Sequence, residues 1–189
     1  MRPVHNLILL VVILASSCQR QEPRYNEISS IELATGDCFG PCQYTAISID
    51  SSLKFNFFGG PLSLGRKRKI VEGNYTGRIS IASWDSLNKK LEHIHYKLLD
   101  TSYQQSADDQ SLELIVHYHN KIKHVKAQSA SLPDSVREVF DWIANSYKSV
   151  KLEPSERPFN YHTKAQIPFK LPFSLDGVDF SPPKEIYRD

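Results

Sequence analysis

Two runs of alternating apolar residues meet at a turn that holds two cysteines, a glycine and a proline within five positions: Cys38-Phe39-Gly40-Pro41-Cys42. A chain that reverses so sharply places its flanking runs side by side and antiparallel. Upstream, residues 28–34 alternate and predict a first strand. Downstream, Tyr44-Thr45-Ala46-Ile47-Ser48-Ile49-Asp50 alternates with period two, the mark of a half-buried strand. Three intervening residues that include Gly40 and Pro41 can bend enough to bring the two sulfurs together. The pair therefore has three chemical readings: a structural disulfide, a redox or soft-metal pair, and two free thiols.

The rest of the chain follows from its periodicity. Ser51-Ser52 makes a turn, and Leu53 to Phe58 sets Leu53, Phe55 and Phe57 on one face of a third strand. The breakers from Gly59-Gly60-Pro61 to Gly65 predict a loop, and Ile70 to Ile79 a further strand interrupted by Gly73 and Gly77. From Ile81 to Leu99 the period changes. Trp84, Leu87, Leu91, Ile94 and Leu98 recur at spacings of three and four, which predicts one amphipathic helix of about five turns. Ser80 or Ser83 can cap it. Residues 100–110 read as a polar loop. Leu112–Tyr118 and Ile122–Ala127 predict a hairpin turning on Asn120-Lys121. Pro133 suits the start of a second helix, with Val136, Val139, Phe140, Ile143 and Tyr147 as its apolar stripe. The expected fold is α+β: an antiparallel sheet (four-strand meander, helix, hairpin, helix) with the helices packed on one face.

The 189 residues suit one domain plus appendages. A formal net charge of +2 is too balanced for a dedicated nucleic-acid binder, so nucleic acid is excluded as a partner. After Lys151 the composition shifts to proline, and residues 151–189 read as an extended tail. Within it Ile167, Phe169, Leu171, Phe173 and Leu175 alternate strictly, with Pro168 and Pro172 on the opposite parity. Such a segment either straps back onto the domain as an edge strand or adds to a partner's sheet.

The N-terminus carries an address. Arg2 is followed by the apolar run Leu7–Leu14, too short to span a bilayer, and by the small residues Ala15-Ser16-Ser17. Cys18 comes next, an arrangement that resembles a bacterial lipoprotein signal: residues 1–17 removed and Cys18 acylated to become the first residue. Residues 18–27 then form a lipidated polar tether to an α+β domain over 28–150. The resemblance implies a membrane partner through Cys18. With Gln19 and no Asp after the cysteine, it implies the outer membrane of a Gram-negative cell. In an oxidising envelope the remaining pair, Cys38 and Cys42, is most simply a disulfide.

The turn carries a second resemblance. Cys38, Gly40, Cys42 and Tyr44 match the signature Cys-x-Gly-x-Cys-Pro-x-Tyr of a bacterial domain family of unknown function, often found in lipoproteins. Gln43 stands in the usual proline place. The similarity continues through Gly73-Asn74-Tyr75-Thr76-Gly77-Arg78-Ile79-Ser80 to about residue 150. It implies an exported α+β domain and no particular activity.

Other candidate chemistry is sparse. His117 and His119 share a strand face, and a turn at Asn120-Lys121 would set His124 opposite His117, a weak zinc or copper candidate. Glu113 shares that parity two pairs away. The basic run Arg66-Lys67-Arg68-Lys69 is a candidate contact with an anionic surface. Asp108-Asp109 offers too few oxygens for calcium. No nucleophile motif, P-loop, dinucleotide fingerprint or His-Glu-x-x-His occurs. The expectation is a lipid-anchored envelope protein without catalytic residues or cofactor, binding an envelope protein or glycan. The alternative is a redox or copper- or zinc-handling lipoprotein that uses Cys38 and Cys42.

Overall fold

Eight strands hydrogen-bond into a single sheet in the computed structural model, which describes residues 27–63, 70–105 and 108–168. In chain order these are β1 (Ile28–Thr35), β2 (Gln43–Asp50), β3 (Lys54–Leu62), β4 (Gly73–Arg78), β5 (Ser102–Tyr103), β6 (Ser111–Tyr118), β7 (Lys121–Gln128) and β8 (Glu153–Pro154). Helix α1 (Ile81–His93) lies between β4 and β5, and α2 (Asp134–Asn145) follows β7. The spatial order is β5-β7-β6-β1-β2-β3-β4-β8. The signal segment, Cys18, Arg66–Lys69 and residues 169–189 lie outside the described residues.

The α+β class holds, but the expected antiparallel meander-plus-hairpin sheet is corrected to one mixed sheet. β5 pairs parallel to β7, with Ser102 opposite Lys126 and Tyr103 opposite Ala127. β8, from the proline-rich tail, pairs with β4 at the other edge. Both are two-residue strands, too short for a period-two pattern to register. β3 also runs on through Gly59-Gly60-Pro61, where a loop was expected. The glycines are what permit it: a Cβ on Gly59 would collide with the Val71 carbonyl. Gln43 ties the two segments together, its Nε2 donating to Gly60 O at 3.1 Å and Val71 O at 2.8 Å.

One face of the sheet carries the core. Ile31, Leu33, Ile47, Ile49, Phe55, Phe57, Leu114, Val116 and Val125 are buried there against Trp84, Leu87 and Leu91 of α1 and Val136, Val139, Phe140 and Ile143 of α2. Phe57 stacks on Tyr147 with ring centroids 4.5 Å apart. Ser80 caps α1 by accepting from Ser83 N at 3.0 Å. The helix is shorter than its stripe predicts, because His95 adopts φ 50° and ends it. Leu98, expected on the buried stripe, is 81% exposed on the 3-10 turn that follows.

β1 fixes the polarity of the domain. It starts where the N-terminal segment arrives and ends at the cysteine turn. Eight extended residues separate those two ends by about 25 Å.

Candidate functional site

The cysteine turn is closed by a Cys38–Cys42 disulfide, with the Cα atoms 5.8 Å apart. Its backbone is held by two residues, Asp108 and Ser63. Phe39 N donates to Asp108 O at 3.1 Å, and Ser63 N donates to Cys42 O at 2.8 Å. The Ser63 hydroxyl donates to Gly40 O and accepts from Cys42 N. Phe39 itself projects, 84% exposed. Beside the turn lies a polar cavity of about 330 Å³ lined by Cys42, Gln43, Gln110, Asp141, Asn145 and Lys148. Its amides are already engaged: Gln43 as above, and Gln110 Nε2 with Gly36 O and Gln43 O. Lys148 Nζ reaches Asn145 Oδ1 at 2.6 Å. The turn is thus a clamp between β1 and β2, and the amides beside it already have hydrogen-bond partners.

The face of the sheet opposite the helices is covered by the chain after β8. Ser155 N donates to Asn74 O at 2.8 Å, and the segment then crosses to β1 and β6. Two buried carboxylates receive it. Glu32 accepts from His162 N at 2.7 Å and Thr163 N at 3.3 Å, with His162 Nδ1 2.7 Å from its other oxygen. Glu113 accepts from Lys164 N at 2.5 Å and Ala165 N at 2.9 Å, and His124 Nε2 lies 2.7 Å from its second oxygen. Glu32 and Glu113 are 7% and 4% exposed, so every donor counts. Burial pushes the Glu113 carboxyl up, but the two backbone donors and His124 outweigh it and hold the group below its ordinary value.

The sequence does not single out Glu32, and it sets Glu113 two pairs away from the histidines, whereas the observed register brings Glu113 against His124. The signal was there: Leu112-Glu113-Leu114-Ile115-Val116 is nearly continuously apolar, the pattern of a strand covered on both faces. The strap supplies that second cover.

The three candidate histidines have separate surroundings. The hairpin turns on His119-Asn120, one residue earlier than expected, because His119 accepts φ 48°. The slip pairs His117 with Ile122 and His124 with Ile115, which corrects the expected His117–His124 opposition. His124 meets Glu113, His117 lies beside the His162 ring at 5.9 Å, and His119 sits 3.6 Å from the Glu27 carboxylate. Among the described residues no three His, Cys, Asp or Glu side chains are grouped to hold a metal. Also among them, no helix is long and apolar enough to cross a membrane.

The profile of DUF6438, a domain of unknown function, matches residues 29–147. No curated protein matches the chain in sequence.

Proposed function

Because the chain belongs to the DUF6438 family, a domain of unknown function, we propose a role from its own residues: a lipid-anchored envelope protein whose domain binds another envelope component and catalyses nothing. One observation carries this reading. Cys38 and Cys42 are bonded to each other, which suits an oxidising compartment. That leaves Cys18 as the one remaining cysteine, directly behind a short apolar run and three small residues. Several acyl chains on Cys18 would anchor stably, at about 0.8 kcal/mol per buried methylene. The outer membrane of a Gram-negative cell is the proposed location, and the Cys-x-Gly-x-Cys turn the proposed marker of a lipoprotein-associated domain. The basic run Arg66–Lys69 is a proposed contact with anionic headgroups.

The test is metabolic labelling with a radioactive fatty acid. The wild-type protein is expected to carry label and sediment with membranes, and Cys18→Ala to lose both properties. An unlabelled wild-type protein in the soluble fraction refutes the anchor. The redox or copper- or zinc-handling alternative makes a different forecast: Cys38–Cys42 would have a reduction potential well above the roughly −300 mV typical of structural bonds.

A further inference from the structure

Two imidazoles meet on the sheet face that the strap crosses. His117 stands opposite Ser30 in the β1–β6 register, so it shares a face with Glu32, two residues further along β1. His162 arrives from the strap. The two ring centroids are 5.9 Å apart, with their planes inclined at 58°. The pair is open to solvent: the His162 side chain is 72% exposed and His117 is half-buried.

The two rings are prepared in different ways. His162 Nδ1 lies 2.7 Å from Glu32 Oε1. A carboxylate oxygen only accepts, so the proton of the neutral ring sits on Nδ1 and Nε2 carries the lone pair. The other oxygen of Glu32 accepts from the His162 and Thr163 amides, which fixes the carboxylate against the same stretch of strap. A carboxylate behind an imidazole is the arrangement that orients a histidine for a metal and raises its strength as a ligand. Neither ring nitrogen of His117 has a hydrogen-bond partner among the described residues, so both are available to an ion.

The spacing suits a shared ion. A metal about 2.0–2.1 Å from an imidazole nitrogen lies about 3.2 Å from the centre of that ring, so two rings on one ion have centres at most about 6.4 Å apart. The observed 5.9 Å is within that reach. Two ligands leave at least two positions of a four-coordinate ion for water or for a group from a partner, so this is an open site and not the closed cage of a structural zinc. Imidazole suits both copper and zinc, and Cu²⁺ binds such nitrogen sites more tightly than Zn²⁺.

We propose that His117 and His162 hold a borderline divalent cation, Cu²⁺ ahead of Zn²⁺, and that the ion ties the strap to β6. Glu32 is a positioning residue, which holds the His162 ring and not the metal. The site does not involve Cys38 and Cys42, which follow the opposite end of β1 from Ser30. It goes beyond the binding-module reading and stands without it. A cation that needs both rings binds only while the strap is closed. By mass action it suppresses strap opening, about 100-fold at a free concentration 100 times its Kd.

Calorimetric titration of the full-length protein in detergent tests the site, with Cu²⁺ and Zn²⁺ as probes at neutral pH and a weak competing chelator to keep Cu²⁺ in solution. Saturable binding of both is expected, tighter for Cu²⁺. His117→Ala and His162→Ala are each expected to weaken it at least about ten-fold, since loss of a group that merely orients a ligand already costs roughly 10–100-fold. His93→Ala, on α1, is expected to change nothing. His117→Ala removes a ring without hydrogen bonds, so its melting temperature without metal should match the wild type, and it keeps the test readable if His162→Ala loosens the strap. Saturating Zn²⁺ is expected to slow exchange of the His162 and Thr163 amides in the wild type but not in His117→Ala, a readout that a merely structural histidine would not move. The proposal is overturned if neither cation saturates below about 1 mM, if His117→Ala binds like the wild type, or if Zn²⁺ leaves the exchange of those two amides unchanged.

Discussion

Glu113 illustrates how one residue can join two layers. It sits mid-strand, faces away from the helices, and receives two strap amides and an imidazole. Its folded-state carboxyl titrates below the ordinary value near 4.5. The sign follows directly. The ionised form is favoured by folding, so the contribution is complete above about pH 4.5 and lost as pH falls through the lowered folded value. Acidification should therefore loosen the strap before the core. Protection factors of the Lys164 and Ala165 amides are expected to fall at low pH while those of Ile47 and Leu114 persist; simultaneous loss would refute a local latch. Glu113→Gln is expected to cost about 1–3 kcal/mol at neutral pH, read from the denaturation midpoint, since an amide replaces a charge-assisted acceptor.

Element ends depend on single caps and single φ values. Ser80→Ala removes the one side-chain cap of α1 and is expected to cost about 1 kcal/mol in chemical denaturation; no change would show that neighbouring Ser83 substitutes. The cap and the stripe from Trp84 to Leu91 were legible in the sequence, because both depend on local chemistry at a fixed period. The strand cores were legible too: alternation around Ile47, Phe55 and Leu114 places each on the core face. What was not legible depended on long-range partners. His95 and His119 take left-handed φ without being glycine or asparagine, and each shifts an element boundary. β5 and β8 exist only because a longer neighbour offers an edge. The partners of Glu32 and Glu113 lie at residues 162–165, more than fifty positions away, and an apolar run reports that a strand is covered without reporting by what. The disulfide turn was the readable part of the site, and the contacts of Glu32 and Glu113 with the strap were the unreadable part.

At the scale of the molecule the sheet is a slab covered twice, by two helices on one face and by a strap on the other. The disulfide sits at its end and closes only a five-residue loop. On the chain-entropy account that contributes about 2 kcal/mol, against roughly 5–15 kcal/mol for a domain of ordinary stability. Reduction is accordingly expected to lower the denaturant midpoint but leave the domain folded at 25 °C, as judged by an unchanged far-ultraviolet spectrum. Complete unfolding on reduction would show that the turn organises the whole sheet and does more than clamp two strands.

β1 lies between β2 and β6 and is hydrogen-bonded to both along its length. It is also the first strand after the N-terminal segment, and the strap leaves the described domain near β1's far end, where Ala165 O crowds Gly36. A mechanical load that arrives through the N-terminus and is resisted by whatever holds the other pole would therefore run along the axis of β1. Such a pull shears two ladders at once, so the bonds share the force and do not open one by one like a zip. A domain loaded in this way would meet the force with a strand bonded on both of its edges.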